Sequence, residues 1–288
     1  MTVMLGSLRR HARALAKETL YALVRASGLA RLVQRLVGPS RVGILVYHHP
    51  RPEVLDRHLR YLRTVGHAIP LDTLVEGLRR RDFSRIPPRS VVVTIDDGHR
   101  SNRELLDVLA RHGVVATIFL CTRIVGTRRR FWWTALDPSE TRRLMRVPNS
   151  ERERHLRERL GLAPEDEVEE RQALSFEELA EMAQLADFEP HTRFHPILPL
   201  CDETECRKEI VGSKRDLERL LGRPCRHFAY PNGAHTEREV EIVRAAGFAS
   251  ARTIEHGWNG VDTDPYRLKV LGIDDTASIN ALAAHLAG

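Results

Sequence analysis

Two carboxylates stand side by side in VTIDDGHRSN, at Asp96 and Asp97, directly after the apolar run Ser90 to Ile95. Close acids repel, so a crevice that receives both must protonate one or draw a cation between them. Further along, EPHTRFHP sets His191 and His195 four apart. On a helical turn or in a tight loop, two imidazoles at that spacing can converge on one cation. Joined to Asp97 they make a set of two histidines and one carboxylate, which leaves positions open for water and substrate. Asp96 is then the spare carboxylate, placed to take a proton from a water on the cation. A third element, FAYPNG (Phe228 to Gly233), reads as a turn after an apolar strand. Such a turn can aim a backbone N–H at a developing oxyanion. The competing reading of the acidic doublet is a strand-to-helix turn in which Asp caps the following helix.

The elements that must hold these residues alternate in type. RVGILVYHH reads as a strand ending in the pair His48 and His49, EVLDRHLRYLRTVG as an amphipathic helix, and SVVVTIDDG as the next strand. NRELLDVLARHG then reads as a helix and VVATIFLCT as a strand. Strands alternating with helices of this length predict βαβ units and a largely parallel sheet. From about 128 to 172 the rhythm breaks into RRRFWWTALD and the charged segments SERERHLRERLG and PEDEVEERQ, read as a peripheral helical insertion. Trp132 and Trp133 there either pack the insertion onto the barrel or form a wall on which a sugar stacks. Regular structure returns with LSFEELAEMAQLADFE, where Ser175 and Glu178 form a capping box.

The order TIDDG, HTRFH, FAYPNG resembles the polysaccharide deacetylases with a NodB homology domain, carbohydrate esterase family 4. ILVYHHP and FWW resemble the exopolysaccharide-associated bacterial branch, and the likeness runs from about Gly43 to about Asp275. It implies an α/β fold, a distorted (β/α) barrel of about seven strands. It also implies a divalent metal on Asp97, His191 and His195, zinc first with iron, nickel or cobalt as alternatives, and Asp96 as catalytic base. The implied reaction removes N-acetyl groups from amino sugars of a glycan or a lipid-linked glycan precursor. The tetrahedral oxyanion would be held by the metal and a turn amide, that of Asn232. Tyr230 and Pro231 of the same turn are assigned with Asn232 to the substrate side, as is Trp258.

This chain departs from the family pattern in three places. Many members carry in the third motif an Arg that orients the base, and Ala229 stands there; Arg226 is the neighbouring candidate. The usual C-terminal Leu-x-His element is absent, and His285 falls in a predicted helix. A circularly permuted arrangement would put the LVYHH strand in that place, making His48 the general acid, with His49 the alternative. LADFEPHT is compressed, which predicts a short or irregular strand before His191. The missing Arg and the unplaced general acid leave a second reading, an inactive relative that binds a glycan or a polysaccharide-synthesis partner.

The 288 residues are 42% hydrophobic, enough for one sizeable core, so residues 41–288 are expected to form one domain after a helical arm over 1–40. Cys121, Cys201, Cys206 and Cys225 are scattered without a CxxC pair, which predicts free buried thiols. The net charge of +6 suits an anionic partner. No DNA-binding pattern accompanies it, so nucleic acid is not expected. The basic amphipathic arm either packs on the domain or makes peripheral membrane contact, and it lacks a continuous signal-peptide core. The expectation is a cytoplasmic protein, membrane-associated if the arm binds lipid.

Overall fold

The computed structural model describes residues 18–23 and 41–287. The expected arm over 1–40 therefore lies almost wholly outside the described residues. The unbroken apolar segment GILVY forms β1 (Gly43–Tyr47), buried along its length. Helix α1 (Pro52–Val65) begins with Pro, whose missing N–H costs nothing at a helix start. Next come β2 (His67–Ala68), α2 (Leu71–Arg80), β3 (Ser90–Ile95), α3 (Leu106–His112) and β4 (Ala116–Leu120). The insertion holds α4 (Pro138–Leu144) and α5 (Asn149–Leu160). The chain then alternates again: α6 (Phe176–Met182), β5 (Ala186–Pro190), α7 (Glu203–Leu221), β6 (His227–Ala229), α8 (Glu237–Ala245), β7 (Ser250–His256), β8 (Leu268–Gly272) and α9 (Ile279–His285).

The sheet runs β5-β4-β3-β1-β8-β7-β6 with every ladder parallel, and the two-residue β2 adds to β3. This is the nearly closed seven-strand (β/α) barrel that the motif order implies. Its first strand sits between β3 and β8, so the chain's N-terminal strand occupies an interior place in the sheet. Side chains alternate across each strand. Ile44, Val46, Val92, Phe119, Ala229 and Val270 meet in one cluster, which is the barrel interior, and Leu71, Leu74 and Leu78 of α2 close it. Their neighbours Leu45, Tyr47, Val91, Val93 and Ile95 point outward beneath α1 and α3. The seam between β5 and β6 is bridged by a side chain. Glu189, 2% exposed, accepts the backbone N–H of Arg226 and His227 at 2.8 and 3.0 Å. Those amides therefore need no ladder partner.

Several local expectations hold and two do not. The capping box at Ser175 and Glu178 is present, and all four cysteines are free and buried. The strand before His191 is regular, not irregular: β5 pairs with β4 over all five residues. PEDEVEERQ is not helical, because Asp166 accepts the N–H of Ala163 and closes a turn there. Among the described residues no helix is long and apolar enough to cross a membrane.

Candidate active site

Asp96 continues the inward alternation of Val92 and Thr94, so its carboxylate enters the barrel at the C-terminal end of β3. Asp97 would then point outward, but its φ of 73° breaks the alternation. Both carboxylates thereby turn into one crevice. Gly98 follows with φ 72°, and a Cβ there would lie 2.5 Å from Leu120 Cδ2, so only glycine fits the turn. Neither aspartate caps the next helical segment; the cap is His99, whose Nδ1 accepts the Ser101 N–H. His191 follows β5 directly, and Thr192 and His195 have φ of 65° and 58°. HTRFH is thus a tight loop rather than a helical turn. Four of the six non-glycine residues with positive φ among the described residues, Asp97, Thr192, His195 and Asn232, lie in these site loops. Such strain persists only where surrounding contacts fix it.

The contacts are visible. His191 donates from Nδ1 to the Ala229 carbonyl at 2.7 Å, which leaves Nε2 as a lone-pair donor toward Asp97. Asp97 Oδ1 lies 3.7 Å from that Nε2 and 3.5 Å from Nε2 of His195. All three candidate ligand atoms fall within 4.8 Å of one another. Donors about 3.4 Å apart are what tetrahedral zinc with bonds near 2.1 Å requires. Asp97 Oδ1 is buried and has no hydrogen-bond partner, as expected of an oxygen reserved for a cation. Burial lowers His191 to about 4 and holds His195 far below the usual range, so both imidazoles are neutral, their ligand form. Burial also raises Asp97 to about 7, and the neighbouring Asp96 charge adds to this. A cation at this point would reverse that rise. The three residues therefore fit a divalent metal.

Asp96 behaves differently. Burial pushes its pKa up most, but the Arg252 guanidinium, with His191 and His48, more than offsets this and holds the carboxyl below the usual range. Arg252 Nη2 donates to Asp96 Oδ2 at 2.5 Å, and the guanidinium lies over the Phe119 ring. Arg226, the candidate from sequence, does not reach; it pairs with Asp72. Arg252 instead stands opposite Ala229 in the β6–β7 ladder, so the guanidinium comes from the next strand at the same height. The sequence signal for it was an arginine among the small buried residues of SARTIEH.

A cavity of about 190 Å³ opens over the crevice, lined by His48, Asp97, Trp133, His195 and Asn232, among others. His48 faces this cavity. Its backbone N–H and that of His49 are both accepted by Asp275 at 3.0 Å, and Asn102 donates to its carbonyl. His49 is exposed and turns instead toward Asp275 and His99. Trp133 meets His195 edge-on at 4.6 Å. Trp132 is buried and donates its indole N–H to the His195 carbonyl. Both tryptophans thus do the packing and also line the cavity. Three of the substrate-side residues lie away from this cavity. Tyr230 is fully buried, stacked on His235 with its hydroxyl donated to Tyr266, and Pro231 is buried beside it. Trp258 lies beside Arg41 and Gly43, at the opposite end of β1 from His48, because the chain after β7 doubles back to pair Asn259 with Val42. Of the four, only Asn232 meets the cavity.

A further support was not legible. Glu209 of α7 accepts the backbone N–H of Arg193 and Phe194 at 2.8 and 3.0 Å, fixing the histidine loop from behind. Burial raises its pKa to about 7, although the two amides pull it down. Above the unfolded carboxyl value the folded chain still holds a proton that the unfolded chain has lost, so stability falls as pH rises toward 7. Glu209→Gln keeps an oxygen for both amides and has no proton to lose, so it removes that slope. Urea midpoints at about pH 5 and about pH 7 check this, and equal slopes in both proteins would count against it.

The polysaccharide deacetylase family model matches residues 84–251. No curated protein matches the chain. Among solved structures, the fold is similar to the deacetylase PplD of Streptococcus pyogenes in complex with acetate, at 18% identity and a TM-score of 0.64, covering 86% of this chain and 99% of that one. It is also similar to IcaB from Ammonifex degensii, at 19% identity and 0.63, covering 86% and 98%. The deacetylase domain of BpsB from Bordetella bronchiseptica matches at 17% identity and 0.59, covering 82% and 97%.

Proposed function

The chain belongs to the polysaccharide deacetylase family, and on that premise we propose that it hydrolyses N-acetyl groups of amino sugars in a glycan, using a divalent metal, zinc first, on Asp97, His191 and His195. The observation that carries this reading is the division of labour in one crevice: Asp97 Oδ1 is left without a partner beside two neutral imidazoles, while Arg252 keeps Asp96 charged. When bound, a divalent cation supplies Lewis-acid polarisation of the acetyl carbonyl and a more acidic water. The chain's own residues do the rest. Asp96 offers its unpartnered Oδ1 to the proton of the attacking water. The turn at Asn232 presents its backbone to the oxyanion, and Trp133 walls the acetamido group. As the C–N bond breaks, His48 donates a proton to the departing amine, and acetate is released. The inactive-relative reading rested on a missing arginine and an unplaced general acid, and Arg252 answers the first.

Acetate release from an N-acetylglucosamine oligomer tests the proposal, with chelated protein re-supplied with zinc, iron, nickel or cobalt. Turnover that a chelator abolishes and a metal restores is expected; metal-loaded protein that releases no acetate from any acetylated glycan would return the inactive relative. Among acetylated glycans we place exopolysaccharide and lipid-linked chains first, because the basic N-terminal sequence suits an anionic head-group surface. The general acid has its own expected result. His48→Ala lowers kcat by roughly 100-fold or more with metal content unchanged. Full turnover in that variant would remove His48 from the mechanism.

A further inference from the structure

We propose that the insertion carries a second site, for a compact oxyanion such as a carboxylate or phosphate group, held between Arg130 and Arg152 and separated from the hydrolytic cavity by Trp132. Arg152 projects from α5 and is 4% exposed. Its Nε is enclosed without a hydrogen-bond partner, and so is Nε of Arg130. Among the described residues neither guanidinium has a carboxylate within 4.0 Å. Yet both line one small cavity, with Trp132, Phe194, Leu156 and Pro164 as its apolar walls. Glu153 is the one acid on that wall, and its carboxylate takes the Asn149 amide at 3.0 Å.

A buried guanidinium such as Arg152 is costly unless paired, and the half-buried Arg130 facing the same space adds repulsion. An anion between them relieves both costs. The guanidinium fork matches the two oxygens of a carboxylate or phosphate. The free space is about 30 Å³. That exceeds the roughly 10–15 Å³ of such space that one bound water occupies, which admits a group of a few atoms and excludes a sugar ring. The cation-π contact of Arg152 on the Trp132 ring, at 4.5 Å, sets one wall. The same indole donates to the His195 carbonyl, so an occupant here touches the backbone of the histidine loop through one side chain.

The oxyanion has two sources, a free anion or one carried by an acidic glycan, and two measurements separate them. In the first, inorganic phosphate is titrated at constant ionic strength while the indole N–H resonance of Trp132 is followed in the metal-loaded protein. This arm needs no turnover and is independent of the deacetylase reading. A saturable shift is expected, lost in Arg152→Met and weakened in Arg130→Met. The second variant decides the matter should the first not fold. In the second measurement, kcat/KM is compared for N-acetylated oligosaccharides with and without a uronic carboxylate. A preference of roughly 10- to 100-fold for the charged chain, the yield of one charged hydrogen-bond pair, assigns the site to the substrate. A phosphate shift without that preference assigns it to a free anion. A shift that persists in both arginine variants, or no shift together with equal turnover of both chains, overturns the proposal.

Discussion

Asp97→Asn and Asp96→Asn both abolish acetate release, but only the first empties the metal site. The two side chains are adjacent and share one crevice, so a general disturbance of the site would affect both measurements in both variants. Their surroundings predict otherwise. Asp97 Oδ1 has no hydrogen-bond partner and lies 3.7 and 3.5 Å from two imidazole nitrogens. Removing its charge removes the only acid among the three ligands. Loss of an outer-shell partner costs metal affinity about 10- to 100-fold, and loss of a ligand should cost at least ~100-fold. Asp96 touches the histidines less closely, at 3.9 Å from His191, and its strong contact is to Arg252. Asparagine there keeps an oxygen for the guanidinium and cannot accept a proton. Metal content then stays near that of the parent, while kcat falls by roughly 100- to 10,000-fold. Elemental analysis alongside acetate release reads both quantities. Full activity in Asp96→Asn would remove the assignment of the base.

The parts of the site legible in the sequence are those that local chemistry marks. Asp97, His191 and His195 announce themselves by residue type and by position at the ends of apolar strands. The barrel is legible for the same reason: its strands are unbroken apolar runs between amphipathic helices, and a parallel sheet buried on both faces demands that. What the sequence hides is lateral. Arg252 meets Asp96 only because β7 lies beside β6 in register, and a ladder partner leaves no mark on either strand. The sequence beside FAYPNG offers only Arg226, which pairs with Asp72 instead. Glu209 and Asp275 are hidden likewise, because each acts on backbone amides of a distant loop. Trp258 misled because nothing local shows that the chain after β7 doubles back along β1.

Arg252→Met should be the most damaging single change away from the ligands, in activity and in stability together. The side chain is 1% exposed and lies inside the barrel, where methionine fills much of the same space but carries no charge. Asp96 would then remain buried with the main charge opposing its desolvation gone. Breaking one partner of a buried pair in this way costs about 3–5 kcal/mol. The base would also tend to hold a proton, so kcat falls along with stability, although metal content is retained. Arg252→Lys separates the two roles of the residue. A lysine restores a positive charge near Asp96 but not the second hydrogen bond, in which Nη1 donates to the Thr253 carbonyl. Stability should recover most of the loss, while turnover should recover less, because a point charge does not aim Oδ1 as the planar fork does. Urea unfolding and acetate release on both variants check this. A methionine variant as stable and as active as the parent would show that Asp96 needs no guanidinium.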